Sequence, residues 1–145
     1  MELQKWMTHP VHTLKPLDSI RHAREIMETH RVNQLPVVVN GHVVGIVTDR
    51  DLRDAFPSVF ETSRPVKPKK GEPGTNPDTI RVQDVMTENV LTLGPNETVA
   101  TAAQVMRRER IGALPIVDGG RLVGIITRSD VLKAFVEAEE GTGGK

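Results

Sequence analysis

The sequence predicts an α/β fold of the α+β kind, in which two β-α-β-β-α repeats pack through their sheets with pseudo-twofold symmetry. Residues 7–56 and 86–135 align without a gap at a constant offset of 79, and twenty of the fifty aligned positions are identical. The chain is therefore a tandem duplication. Within each copy, apolar residues recur first at helical spacing and then in strand-like runs. A repeat of about fifty residues buries too little surface to be stable alone, so we expect the halves to share a core.

Each copy supplies the signals of its elements in the same order. In the first copy, residues 11–14 are expected to form a short strand, and residues 18–19 can cap the helix that follows. One face of that helix is an apolar stripe, formed by Ile20, Ala23, Ile26 and Met27. Residues 35–39 and 43–47 are apolar runs around Asn40-Gly41, a pair typical of a tight hairpin with positive φ. A second helix follows, and the second copy repeats the pattern.

The duplication also predicts the domain organisation. Repeat 1 covers residues 1–56 and repeat 2 covers residues 79–136. Residues 57–78 hold five of the ten prolines and show neither periodicity, which indicates a Pro/Lys-rich linker or loop. Residues 137–145 are expected to form a flexible tail.

Composition limits the classes of function. Nineteen basic and nineteen acidic side chains give a net charge of zero, without the basic excess of nucleic-acid-binding domains, so no nucleic-acid partner is expected. The chain has no cysteine, which excludes a disulfide framework and a thiolate metal site. No apolar stretch is long enough to span a bilayer, and the first residues lack the apolar core of a signal peptide. We therefore expect a cytoplasmic protein with no membrane contact.

The chemistry is expected where each third strand meets the following helix. Residues 45–52 and 124–131 both read G-h-h-T-x-x-D-h, where h is apolar. One interpretation is structural, because Thr-x-x-Asp at a helix start is a capping box. The other is ligand binding, because a helix N-terminus can face a phosphate and a carboxylate can accept from both hydroxyls of a ribose. Arg50 and Arg128 lie close enough in sequence to reach phosphate oxygens. The two interpretations are compatible.

These motifs resemble a known family. The series M-T, V-x-T-L-x-P, L-P-h-V and G-I-h-T-x-x-D occurs in this order in both copies and resembles the cystathionine β-synthase (CBS) domain. Two copies resemble the tandem pair called a Bateman module. The resemblance covers residues 3–56 and 82–136. Residues 45–53, followed by Pro57-Ser58, are also similar to the CBS part of acetoin-utilisation-type proteins.

The resemblance implies two clefts between the repeats, each binding an adenosine-containing ligand such as AMP, ADP, ATP or S-adenosylmethionine, with no cofactor required. The ribose and phosphate contacts would come from Thr48, Arg50, Asp51, Thr127, Arg128, Ser129 and Asp130. One cleft would join Ile125, Thr127, Ser129 and Asp130 to Met7, Thr8, His9, Val32 and Asn33. The other would join Ile46, Thr48, Arg50 and Asp51 to Met86, Thr87, Glu88, Ile111 and Gly112. Arg50 aligns with Ser129, so unequal affinities are expected.

Three functional classes remain open at this point. The first is a regulatory, energy-sensing module that binds adenine nucleotides and signals to an unidentified partner protein. The second is a ligand-free structural or dimerisation module. The third, an enzyme, is not expected, because no P-loop or nucleophile–base pair is present. The resemblance further implies a homodimer built through helical faces.

Two residue types invite other interpretations. The five histidines all lie in the first half of the chain without metal-ligand spacing, so no metal site is expected. Trp6 aligns with Val85, an apolar position, which favours core packing over adenine stacking.

Overall fold

The computed structural model describes residues 1–56 and 78–143. Within them lie four helices and four strands, in the order α1 Ile20–His30, β1 Gln34–Val39, β2 His42–Thr48, α2 Asp49–Ala55, α3 Val99–Glu109, β3 Ala113–Asp118, β4 Arg121–Thr127 and α4 Arg128–Gly143. Short 3-10 turns cover Leu3–Lys5 and Val82–Asp84. Helices beside two antiparallel two-stranded sheets confirm the predicted α+β fold class. The predicted linker lies outside the described residues except for Asp78.

The chain divides into two compact units that do not follow the order of the repeats. The terminal unit contains Met1–Val11 together with Leu91–Lys145, and the central unit contains His12–Val90. The first eleven residues therefore pack with the body of the second copy. In the same way, the opening segment of the second copy packs with the body of the first.

The caps of the long helices are those that the sequence favours. The Ser19 hydroxyl accepts from the backbone N–H of His22 at 3.1 Å at the start of α1, and Thr98 does the same for Thr101 at 3.1 Å at the start of α3. Both helices end at an arginine in the left-handed region. The buried faces of α1 and α3 follow the predicted stripes, with Ala23 and Ala102 both fully enclosed.

Each hairpin pairs the two predicted apolar runs. β1 and β2 are antiparallel with Gln34 opposite Thr48, and β3 and β4 repeat this with Ala113 opposite Thr127. At the first turn, Asn40 and Gly41 have φ values of 51° and 83°, as their sequence predicts.

The prediction of a short strand before the first helix of each copy is wrong, because only a single bridge forms there. Leu14 makes a single parallel bridge to Val37, in which its N–H donates to the Pro36 carbonyl at 2.9 Å and its carbonyl accepts from Val38 at 2.8 Å. To extend this ladder beyond Leu14, the N–H of residue 16 would have to donate in one direction and the N–H of residue 36 in the other. Both residues are prolines, which have no N–H, so the ladder stops at one bridge. Leu93 forms the equivalent lone bridge to Ile116.

The opening segment of each copy is seated on a strand by the same contacts. Thr8 bridges Ile125 through two backbone hydrogen bonds of 2.8 and 3.0 Å, and Met7 lies against the backbone of Gly124. Trp6 is partly buried and packs against the apolar cluster of this unit, which confirms the core-packing interpretation. In the central unit, Thr87 bridges Ile46 and Met86 covers Gly45 by the same arrangement.

Helix α4 extends further than the sequence indicated. It continues to Gly143, so most of the segment expected as a tail is helical. Its exposed face includes Leu132 and Phe135. None of the helices in the described residues is long and apolar enough to span a bilayer.

The glycine–methionine contacts should be sensitive to one added methyl group. In Gly45→Ala and Gly124→Ala, the new Cβ would lie 2.9 and 2.8 Å from the Cγ atoms of Met86 and Met7. We expect each substitution to lower the free energy of unfolding by about 1–3 kcal/mol, measured by urea denaturation. Gly141→Ala in α4 is the control, because nothing lies within 4 Å of its added Cβ and stability should be unchanged or slightly raised. Wild-type stability of both first variants would contradict this packing.

Candidate functional site

The Thr-x-x-Asp motif of the terminal unit lies where β4 changes directly into α4. β4 ends at Thr127 and α4 begins at Arg128, with no loop between them. The Arg128 N–H donates to the Gly112 carbonyl at 3.2 Å, which ties the start of the helix to the residue before β3. Thr127 and Asp130, three residues apart, are thereby placed side by side.

Asp130 is the only buried charged side chain among the described residues, at 8% exposure. Its Oδ2 accepts from the Thr127 N–H at 2.9 Å and from the Thr127 hydroxyl at 3.0 Å. Its own N–H donates to the same hydroxyl at 3.3 Å, which completes a reciprocal cap. The Thr8 hydroxyl reaches both carboxylate oxygens at 3.3 Å. The burial of this carboxylate is thus accompanied by donors on both oxygens.

The central unit holds the matching motif at the junction of β2 and α2. The Thr48 N–H donates to Asp51 Oδ2 at 2.9 Å, and the Asp51 N–H donates to the Thr48 hydroxyl at 3.1 Å. This is a complete capping box. Asp51 is more exposed than Asp130, and in the described parts of the chain no donor reaches its Oδ1. The capping interpretation of the motif is therefore confirmed in both copies.

Part of the anion-binding capacity expected of these helix starts is already used. At α2, the N–H of Asp49 donates to the Asn33 carbonyl at 2.9 Å and that of Asp51 to the Thr48 hydroxyl. Two of the first three helical N–H groups are thus occupied. Asn33 and Gly112 act as carbonyl acceptors for the starts of α2 and α4, a role that the sequence analysis missed because backbone carbonyls leave no residue-type signal.

The remaining predicted residues divide between the units. Those that share the terminal unit with Asp130 are Met7, Thr8, His9, Ile111, Gly112, Ile125, Thr127, Arg128 and Ser129. Those that share the central unit with Asp51 are Val32, Asn33, Ile46, Thr48, Arg50, Met86, Thr87 and Glu88. The predicted pairing of Val32 and Asn33 with Asp130, and of Ile111 and Gly112 with Asp51, stays a prediction.

The charged neighbours differ between the two motifs. Arg50, Arg128, His9 and Glu88 are exposed. In the central unit, Asp49 forms an ion pair with Arg53 at 2.7 Å, one helical turn along α2. In the terminal unit the position of Asp49 is taken by Arg128, and that of Arg50 by Ser129. The motif in the terminal unit is therefore less acidic. Of the histidines, His12 and His30 stack with ring centroids 3.6 Å apart.

Comparison with known proteins identifies similar sequences. The family model of the CBS domain matches residues 2–58 and 82–137. An inosine-5′-monophosphate dehydrogenase of Korarchaeum cryptofilum is 34% identical over 88% of this chain, which spans only 23% of that enzyme. A CBS domain-containing protein of Dictyostelium discoideum is 36% identical, over 81% of this chain and 79% of its own length.

Solved structures with the same fold include an acetoin utilization protein, AcuB, from Vibrio cholerae. It is 27% identical with a TM-score of 0.79, over 100% of this chain and 97% of its own. The CBS domain pair of protein MJ0100, solved with 5′-methylthioadenosine and S-adenosyl-L-methionine, is 26% identical with a TM-score of 0.76, over 95% and 98% of the two chains. CBSX2, solved with AMP, is 25% identical with a TM-score of 0.76, over 95% and 98%.

The two carboxylates should contribute unequally to stability. We expect Asp130→Ala to lower the free energy of unfolding by about 2–4 kcal/mol, because it removes a cap and leaves several donors without an acceptor. Asp51→Ala loses only the cap, which is worth about 0.5–2 kcal/mol. Urea denaturation of both variants measures the difference, with the exposed Asp54→Ala in α2 as control. Equal losses for Asp51→Ala and Asp130→Ala would contradict the assigned hydrogen bonds.

Proposed function

Because the chain belongs to the CBS domain family, we propose that it is a regulatory module that binds an adenosine-containing ligand at Asp51 and at Asp130 and signals its occupancy to a partner protein. The observation that carries the proposal is the pair of Thr-x-x-Asp junctions, each overlaid by a Met-Thr segment from the other copy. Each junction holds a carboxylate in a fixed orientation through its threonine. The expected cytoplasmic location stays a prediction.

The chemistry of the junction suits a ribose. An ionised carboxylate has about four acceptor positions and can take a hydrogen bond from each of two neighbouring hydroxyls. At Asp51, one donor uses Oδ2 and no described residue donates to Oδ1. Arg50 and Arg128, exposed at the two helix starts, can approach the phosphate oxygens of a nucleotide. The helix cap and the ribose acceptor are then the same side chain in two roles.

The relatives support the proposed ligand class. Two proteins of the same fold were solved with adenosine compounds, one with AMP and one with 5′-methylthioadenosine and S-adenosyl-L-methionine. AMP, ADP, ATP and S-adenosylmethionine are therefore our candidates, and a nucleotide would make the module a sensor of cellular energy. We propose that the chain itself is not an enzyme, since its match to the dehydrogenases covers less than a quarter of their length.

Thermal unfolding with a panel of ligands tests this function. A ligand that binds only the folded protein adds about 2.7 kcal/mol at 100 times its dissociation constant, which raises the melting temperature by roughly 5–10 °C for a chain of this size. We expect such a rise with at least one of AMP, ADP, ATP and S-adenosylmethionine, and none with GMP. Equal rises with AMP and GMP would indicate recognition of the ribose and phosphate without the adenine base. No rise with any adenosine compound would favour the ligand-free structural module.

The exposed face of α4 supports a second element of the proposal, a homodimer. Leu132, Phe135 and Val136 are 62%, 60% and 49% exposed and lie three and four residues apart, on one side of the helix. The position of Leu132 is taken by Arg53 in the first copy and that of Phe135 by Phe56, so the two copies share only part of the stripe. An apolar stripe of this kind can pack against its own copy across a twofold axis.

Sedimentation of the purified chain tests the dimer. We expect a dimer at tens of micromolar, and a monomer for Phe135→Glu, because a charge in the apolar stripe would lose its hydration on association. Lys133→Glu, which changes an exposed neighbour outside the apolar stripe, is the matched control and should remain dimeric. A monomeric wild-type chain at this concentration would remove the dimer from the proposal.

A further inference from the structure

The two units share a backbone arrangement but differ in one side-chain contact. In both, a Met-Thr segment is paired with a strand, and its methionine covers a glycine. In the terminal unit the Thr8 hydroxyl donates to the carboxylate of Asp130 at 3.3 Å. The equivalent hydroxyl, that of Thr87, makes no hydrogen bond to Asp51 in the described residues.

This difference changes how many acceptor positions each carboxylate has left. Asp130 accepts from the Thr127 N–H, from the Thr127 hydroxyl and, at both oxygens, from Thr8. Those contacts come from three donors, because the single Thr8 hydroxyl proton is shared between the two oxygens, and they leave about one of the four acceptor positions of the carboxylate. Asp51 accepts from one described donor, the Thr48 N–H. Two ribose hydroxyls can therefore be added at Asp51, whereas at Asp130 one can be added and the second must displace a donor.

Thr8 is the donor that can be displaced. The Thr127 N–H belongs to the backbone, and the Thr127 hydroxyl also accepts from the Asp130 N–H as part of the helix cap. Thr8 is exposed, and its hydroxyl contacts are the longest at this carboxylate, at 3.3 Å. Rotation about its χ1 angle moves the hydroxyl away and leaves the backbone bridge to Ile125 intact.

We propose that Thr8 is a built-in competitor for Asp130, so that the ligand fills the Asp51 motif first and the Asp130 motif only at higher concentration. This inference rests on the proposed function. Thr8 is a specificity-determining residue in this sense: it sets the affinity of one site relative to the other. Two sites with separate affinities let a single module respond over a wider range of ligand concentration than two equal sites.

Trp6 makes the Asp130 motif separately observable. It is the only tryptophan, it lies two residues before Thr8, and it is partly buried in the apolar cluster of the terminal unit. Displacing the Thr8 hydroxyl changes the surroundings of this segment and hence the indole emission. Calorimetric titration with AMP counts all binding, whereas Trp6 emission reports on the terminal unit.

The test uses Thr8→Val, which has nearly the same shape without the hydroxyl, and Thr87→Val as the matched control. In the wild type we expect two AMP-binding steps. Asp51→Asn should remove the tighter step, and Asp130→Asn should remove the weaker step, which changes the Trp6 emission. Thr8→Val should tighten the weaker step by about threefold to tenfold, the range for loss of one competing hydrogen bond. Thr87→Val should tighten neither step, and Thr8→Ser, which keeps a hydroxyl, should behave as wild type.

Amide hydrogen exchange at Thr8 and Ile125 shows whether the segment stays seated in Thr8→Val. If the segment detaches in Thr8→Val, the inference is tested instead by the wild type and the aspartate variants, which show whether the tighter binding step belongs to Asp51. Weaker or unchanged binding in a seated Thr8→Val, or a tighter step that belongs to Asp130, would overturn the inference alone. No binding of AMP, ATP or S-adenosylmethionine by the wild type would overturn the proposed function and the inference together.

Discussion

The seating of each Met-Thr segment on a strand is the contact on which the two units depend. Thr8 with Ile125 and Thr87 with Ile46 each exchange two backbone hydrogen bonds, and the methionine before each threonine lies on a glycine that has no room for a Cβ. A repeat of about fifty residues cannot bury a complete core by itself. The buried side chains of Leu3 and Val82, just upstream, enter the apolar clusters that the other copy builds. The exchange of opening segments thus completes both cores.

That exchange also creates the chemical setting of the carboxylates. The strand that receives the Met-Thr segment is the one that runs directly into the capped helix. Seating the segment therefore brings a second threonine close to the Thr-x-x-Asp junction. The absence of a side chain at Gly45 and at Gly124 lets the Met-Thr segments pack on the strands, and this packing both stabilises the units and brings the segments to the Thr-x-x-Asp junctions. A change that unseats a segment should affect both, which is why the binding experiments need variants that leave the backbone in place.

The difference between the two junctions shows how a duplicated unit can acquire unequal sites. The backbone geometry is nearly the same in both, and the motif residues Thr and Asp are retained. What differs is the occupancy of the acceptor positions, since Asp130 is buried with donors on both oxygens, while among the described residues no donor reaches Oδ1 of Asp51. Flanking charges differ as well, because Arg128 and Ser129 replace Asp49 and Arg50. Affinity can diverge in this way without any change of fold.

The sequence by itself determined the elements whose signals are local. Helical stripes, the Ser19 cap, the Asn40-Gly41 turn and the Thr-x-x-Asp capping boxes all depend on residues within a few positions of one another, and each appears as predicted. The lone bridges at Leu14 and Leu93 were also readable in principle, because the blocking prolines are visible in the sequence. They were missed because the hydrogen bonds of a parallel ladder can be assigned only once its partner strand is known.

Tertiary structure alone decided how the opening segments are exchanged and which carboxylate is enclosed. Thr8 and Asp130 are 122 positions apart, and no periodicity or motif spacing encodes a contact at that separation. Thr8 and Thr87 are the same residue type at aligned positions, so the sequence offers no reason for one hydroxyl to reach its carboxylate and the other not to. That choice depends on side-chain rotamers and on burial, which arise only when packing within each unit fixes the distance between the groups.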